Sequence, residues 1–265
     1  MSAAPSLLDV AAKSGRRPRW WLEILVIVWL CWVYDAISNL APLRRVAPYD
    51  HARSLLHLER LLHLDPEHAL NHWLNAHPTL GWWVSIYYDN AHFVVTLAVL
   101  GWLWWRHSGL YRPLRTSIVL INVIGFFVYW RYPMAPPRLT VPAQYPDVVA
   151  ATHAFGSWHS GTLARHANEL AAMPSLHLAW AAWSAYACWK VFRRHRWAWL
   201  AWLYPMLTTV AVMATGNHFL GDCVAGVAVM AIATVAAQRW HERWAARRVI
   251  HELRGASAVE LSEVA

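Results

Sequence analysis

Met173-Pro174-Ser175-Leu176-His177 stands at the head of a long apolar run that reaches about Phe192. A hydroxyl and an imidazole are therefore placed where a membrane span begins, and the rest of the chain is read outward from that placement. Two other groups of polar residues sit at the ends of apolar runs, Arg131 to Arg138 and His218 with Asp222. Brought together at one membrane surface, the three pieces would form a site that handles phosphate, with the remaining chain as its scaffold.

Composition sets the solvent. Of 265 residues, 58% fall in the hydrophobic class and 14% are charged, whereas a soluble domain carries roughly a quarter charged residues. Twenty tryptophans exceed what a small soluble core takes and suit the amphipathic belts at membrane interfaces. The expected fold class is all-α: a six-transmembrane-helix bundle with interfacial helices on the outer side. The six runs are Trp20 to Ser38, Leu80 to Trp105, about Thr116 to Trp130, Pro174 to about Phe192, Trp197 to about Thr215, and about His218 to Ala237. The first is about as long as a helix needs to cross the hydrocarbon core. It also lacks a clean small-residue cleavage pattern, so it reads as an uncleaved span and not as a signal peptide.

Around the spans, residues 1–19 are polar and basic and are expected to be a disordered cytoplasmic tail. Residues 20–239 make the membrane catalytic domain, and 240–265 a basic cytoplasmic C-terminal tail. Within 49–77, Leu55, Leu56, Leu58, Leu61 and Leu62 recur at helical spacing among His, Arg and Glu, and Asp65-Pro66 reads as an N-cap followed by the first helical position. That segment is too polar to span and predicts two short amphipathic helices at the interface. Residues 131–172 form a long outer loop rich in Pro, Gly, Ser and His, with no period; loops of this length are functional or disordered.

Six spans put both termini on one side. That side then carries 16 of the 23 Lys and Arg residues and the other side 7. The positive-inside rule places both tails in the cytoplasm, in a plasma (inner) membrane. It also puts all three polar groups on the outer face, although other residues set the topology. The net charge of +8 is thus a matter of topology; the basic residues lie at span ends and form no nucleic-acid-binding face. Cys31, Cys188 and Cys223 fall inside apolar runs without a Cys-x-x-Cys partner, which predicts packing roles, no disulfide and no metal site.

The chemistry follows from residue types. His218 and Asp222, four apart, share one face of a helix. A carboxylate on one imidazole nitrogen fixes the tautomer and leaves the other nitrogen as nucleophile or base. Pro174 can open a helix with Ser175 in its first turn, where free N–H groups attract an anion and the hydroxyl adds a donor. A protonated His177 there could protonate a leaving oxygen. Arg131 and Arg138, separated by a stretch containing Pro133, Pro136 and Pro137, offer planar forks suited to phosphate on a stiffened loop.

Arg131-x6-Arg138, Pro174-Ser175-Leu176-His177 and His218-x3-Asp222, in this order with a long outer loop after the first, resemble the type 2 phosphatidic acid phosphatase superfamily of membrane lipid phosphatases and phosphotransferases. Its signature is Lys-x6-Arg-Pro, Pro-Ser-Gly-His and Ser-Arg-x5-His-x3-Asp. The wording Pro-Met-Ala-Pro-Pro-Arg-Leu, Ala-Ala-Met-Pro-Ser-Leu-His and Thr-Gly-Asn-His-Phe-Leu-Gly-Asp is closer to the branch that includes the fungal inositol phosphorylceramide synthases. The resemblance covers roughly residues 45 to 235. It implies that His218 attacks phosphorus and forms a phosphohistidine, that Asp222 orients and stabilises it, and that His177 protonates the leaving alcohol and then activates the acceptor. Arg131, Arg138 and Ser175 would hold the phosphate oxygens, with no metal and no cofactor.

The chain departs from the signature at Arg131, which replaces Lys, at Leu139, which replaces Pro, at Leu176, which replaces Gly, and at Ala211-Val212, where Ser-Arg is absent. Thr215, Asn217, His153, His159, Arg165 and His166 are the candidates to replace that arginine. His92, in Tyr87-Tyr88-Asp89-Asn90-Ala91-His92-Phe93, resembles a recurring string of the same branch and is expected to line the pocket. The function expected is hydrolysis of a lipid phosphoester or diphosphate, polyprenyl or glycerolipid, at the outer leaflet. The alternatives are transfer to an inositol or sugar alcohol and, from another class, non-catalytic lipid binding or transport.

Overall fold

The computed structural model of the chain describes residues 18–40, 46–152 and 169–263. Most of the N-terminal tail, Arg44, Arg45 and the loop candidates His153, His159, Arg165 and His166 lie outside the described residues. The described chain is helical. Its helices are α1 (Trp20–Leu40), α2 (Ala47–Leu61), α3 (Pro66–Asn75), α4 (Pro78–Arg106), α5 (Ser108–Arg131), the short α6 (Pro137–Thr140) and α7 (Val148–Thr152), α8 (Leu176–Phe192), α9 (Leu203–Ala214) and α10 (Leu220–Glu263), with a 3-10 stretch, Ala198–Trp202, leading into α9.

Helices cover all six runs read as spans. Two, Ser108–Arg131 and Leu220–Arg248, are long and apolar enough by length and composition to cross a membrane. Three boundaries differ from expectation. The basic stretch between the second and third runs is not a loop: α4 and α5 meet at His107, and Pro113 lies inside α5. The last helix does not stop near Ala237 but continues to Glu263, because Ala, Arg, Glu and Trp follow without a Gly or Pro until Gly255. Ser175 does not lie in the first turn of α8; it is the N-cap.

The packing inverts the soluble pattern. Trp32, Trp83, Val94, Phe127, Met206 and Ile232 are exposed, while Asp89, Ser117, Asn122, Ser184, Asp222 and His218 are buried. The centre is a cluster of Leu103, Tyr111, Ile121, Trp183 and Met230 between α4, α5, α8 and α10. Trp183 is fully buried and its indole N–H donates to Leu114 O (3.1 Å) and Ser117 Oγ (2.9 Å). Ala179, Ala182 and Ala187 line the same face of α8, and such small residues let neighbouring backbones approach.

The short helices cover one end of this bundle. The α2 segment is tied to the outer loop by Ala135 N–H to Pro48 O (3.1 Å) and by the His51–Pro133 contact (2.8 Å). In α3, whose N-cap is Asp65 and first residue Pro66 as expected, Asn71 Nδ2 donates to Ala214 O (2.9 Å) and Pro146 O (3.1 Å). An isolated parallel bridge joins Met134 and Ala171 near the two ends of the outer loop.

Candidate active site

The start of α8 is built against α10. Ser175 N–H donates to Asp222 O (3.0 Å), and Tyr129 Oη donates to Pro174 O (2.8 Å). The approach is close enough that a Cβ on Gly226 would stand 2.4 Å from Ser175 O. Ser175 Oγ accepts from Leu178 N–H (3.4 Å) and is fully buried. Two helix N-termini thus meet at one place, and both present their positive dipole ends there.

His177 projects from the first turn of α8. Its ring stacks on Tyr88 (centroids 4.5 Å apart) and meets His92 edge-on (4.2 Å) and His218 edge-on (5.6 Å). His92 lies 3.1 Å from Tyr88 O through Nδ1. A carbonyl only accepts, so Nδ1 carries the hydrogen and Nε2 is left as the acceptor.

His218 and Asn217 precede α10 in a tight turn. Both backbone N–H groups donate to Val212 O (3.2 Å), and Gly216 takes a positive φ of +74°, which glycine adopts at little cost. Asp222 Oδ2 accepts from Phe219 N–H (2.9 Å) and stands 3.5 Å from His218 Nδ1. At that distance the carboxylate acts on the imidazole through charge more than through a formed hydrogen bond. With Nδ1 turned to Asp222, Nε2 is the nitrogen left for chemistry.

Arg138 is buried beside this turn. Its backbone N–H donates to Gly216 O (3.0 Å) and Nε donates to Asn217 Oδ1 (2.9 Å). The fork reaches two carboxylates, Asp147 (3.2 Å) and Glu169 (3.4 Å). Arg138 is therefore a pre-positioned cation whose fork is balanced by acids.

The other sequence candidates separate. Arg131 ends α5 exposed, and none of the described hydrogen bonds or ion pairs of the site reaches it. Thr215 commits its hydroxyl to Ala211 O (3.0 Å) and Val212 O (3.2 Å) within its own helix. Asn217 does take part, by orienting Arg138. Tyr88 entered the sequence reading only within the string around His92, and Asp147 and Glu169 escaped it. Asp147 alone left a signal there: Tyr145-Pro146-Asp147 is a turn sequence, and Asp147 Oδ1 accepts from Ala150 N–H (3.0 Å) at the start of α7.

Behind the site lies a second acidic group. Glu59 of α2 and Glu67 of α3 are buried. Glu59 Oε1 accepts from Gly221 N–H (2.7 Å), the residue next to Asp222. Burial first, and then the nearby Glu67 and Asp222 carboxylates, push the Glu59 carboxyl up to about 8 against the Gly221 N–H. Burial likewise pushes Glu67 up, to about 7.

No curated protein and no solved structure matches the chain. A family model does match, over residues 53–236, a range that includes α3 to α9, most of α2 and the first part of α10, and with them Arg138, Ser175, His177, His218 and Asp222: the chain belongs to the PAP2 superfamily, a family of phosphatase-type enzymes.

Proposed function

We propose that the protein is an integral membrane phosphatase that hydrolyses a phosphoester or diphosphate of a lipid through a phosphohistidine, with the site at the outer face of a six-span bundle. The observation that carries this is the meeting of His177 and His218, ring centroids 5.6 Å apart, beside the buried Arg138 and two helix N-termini. His218 Nε2 forms a bond to phosphorus as the bond from phosphorus to the lipid oxygen breaks. His177 gives that oxygen its proton. A water then attacks the phosphohistidine, His177 takes the water's proton, and phosphate leaves with His218 restored. Arg138 binds the phosphate oxygens, and the Ser175 hydroxyl, whose oxygen caps α8, keeps its hydrogen to donate. Asp222 offsets the charge that His218 gains.

A lipid is supported by the surface and by a cavity. Large apolar side chains face outward on α1, α4, α5, α9 and α10, as hydrocarbon surroundings require. An apolar cavity of about 490 Å³ beside Pro174, lined by Leu55, Leu58, Val128, Met134, Met173 and Val229, has room for a hydrocarbon chain.

The test uses purified protein with lipid phosphates labelled at phosphorus, with and without inositol. Wild type is expected to release free phosphate, and His218→Ala to lose at least about a thousandfold in rate, as when a nucleophile is removed, while still folding. Label that moves onto inositol with little free phosphate would make the protein a transferase. Equal turnover by His218→Ala would sink the mechanism, and the absence of any His218-dependent product would leave lipid binding or transport.

A further inference from the structure

The first turn of α10 carries Asp222 and leaves backbone N–H groups without partners inside the helix. Asp222 satisfies one of the amides at this helix start itself, at Phe219. Another, at Gly221, is satisfied from a distant part of the chain by Glu59 Oε1 at 2.7 Å. The fit is tight on the same residue: a Cβ on Gly221 would stand 2.8 Å from Leu55 and 3.3 Å from Glu59 Oε1. The α2 helix is therefore seated on the backbone of the residue adjoining Asp222.

We infer that Glu59 is a positioning residue of the active site: its carboxyl oxygen fixes the first turn of α10 and so sets Asp222 behind His218, and Glu67 holds Glu59 in its protonated, docked form. Glu67 is fully buried, and its carboxyl lies against that of Glu59. Two carboxylates this deep cannot both ionise cheaply, so the pair retains a proton. The ionisable groups around the pair are Asp222 and Cys223 on α10, Asp65 and Arg60 at the α2–α3 turn, and Tyr145 in the outer loop. Arg60 is the one cation among them.

Burial in the fold raises both carboxyls above their ordinary range. Docking is fully stable below the ordinary carboxylate range. It weakens as pH rises through about 7 to 8, where Glu67 and Glu59 ionise beside Asp222. The role assigned to Asp222 rests on the phosphohistidine reading; the seating of α10 by Glu59 does not.

The test uses full-length protein in detergent, with dioleoyl phosphatidic acid micelles as probe and phosphate release as readout. Hydrogen exchange of the segment 214–226 is measured in parallel and needs no turnover. Glu59→Ala is expected to lower kcat by roughly tenfold or more, as loss of a group that orients a catalytic residue does, with KM within about twofold, and to speed exchange by a similar factor. Glu59→Gln keeps an acceptor for Gly221 and should retain at least half the activity and the protection. Glu67→Gln removes the carboxyl that raises Glu59 and should move the alkaline fall in kcat to lower pH. If Glu59→Ala does not fold, Glu59→Asp, which withdraws the oxygen by one methylene, takes its place. Equal losses in the Gln and Ala variants, or full protection and kcat in the Ala variant, overturn the inference. If wild type releases no phosphate, the function reading fails and exchange alone decides the place of Glu59.

Discussion

Arg138 shows how one residue can be both ready for its ligand and held back from it. It is buried, fixed through Nε by Asn217 and shared between Asp147 and Glu169. A phosphate must exchange with those carboxylates. Glu169 is half exposed and its contact is long, 3.4 Å, so its hold is worth about 1 kcal/mol or less. Glu169→Gln should then lower KM by no more than about fivefold and leave kcat in place. Arg138→Lys keeps the charge and loses both the planar fork and the Nε bond to Asn217. It should cost roughly 1–3 kcal/mol in kcat/KM, about five- to 160-fold. Steady-state kinetics on one lipid phosphate would separate the two, and a larger KM effect from Glu169→Gln than from Arg138→Lys would reverse this account.

At the scale of elements, the junction between α8 and α10 carries the site. Gly226→Ala would push a methyl into Ser175 O, 2.4 Å away, and the backbone that positions Ser175 and Asp222 would have to move. Overpacking of this kind costs about 1–3 kcal/mol, or roughly 2–12 °C in melting temperature for a chain of this size, and activity should fall with it. Gly101→Ala is the control: among the described residues it meets nothing within 4 Å, and it should hold or raise stability, since alanine favours helix over glycine. Matching melts for the two variants in detergent would remove the junction from the argument. How much the sequence could reveal follows the same divide. His177, His218 and Asp222 stood out because each lies at the edge of an apolar run, but the shared helix face expected of His218 and Asp222 is not there: His218 stands in the turn before α10 and only Asp222 is in the helix. Arg131 looked equivalent to Arg138, but only Arg138 lies in a turn, α6, whose backbone N–H at Arg138 meets Gly216 O. Glu59 went unnoticed, because nothing local shows that a glycine amide 162 residues away needs an acceptor.

At the scale of the molecule, direction along each helix gives the topology a physical test. The site lies where α5 ends, α8 begins, α9 ends and α10 begins. The opposite end holds His107 between α4 and α5, and the basic stretch Lys190 to Arg196 that runs from the last turn of α8. The beginning of α1 belongs there too: Trp104 Nε1 donates to Pro18 O (3.2 Å) and Arg115 pairs with Glu23 (3.2 Å). Further along α10, His241 reaches the same end through Thr116 (3.0 Å). From Leu220 to His241 the helix rises about 32 Å at 1.5 Å per residue, close to the thickness of a hydrocarbon core. One end is therefore rich in Arg and the other carries α2, α3 and the site, which is the asymmetry that orients membrane proteins. With the native cysteines replaced by serine, a membrane-impermeant maleimide should label Leu62→Cys in intact cells, since that turn is exposed. His195→Cys should react only after permeabilisation. The reverse pattern would put the site on the cytoplasmic face, and labelling of both positions in intact cells would deny that the bundle spans the membrane between them.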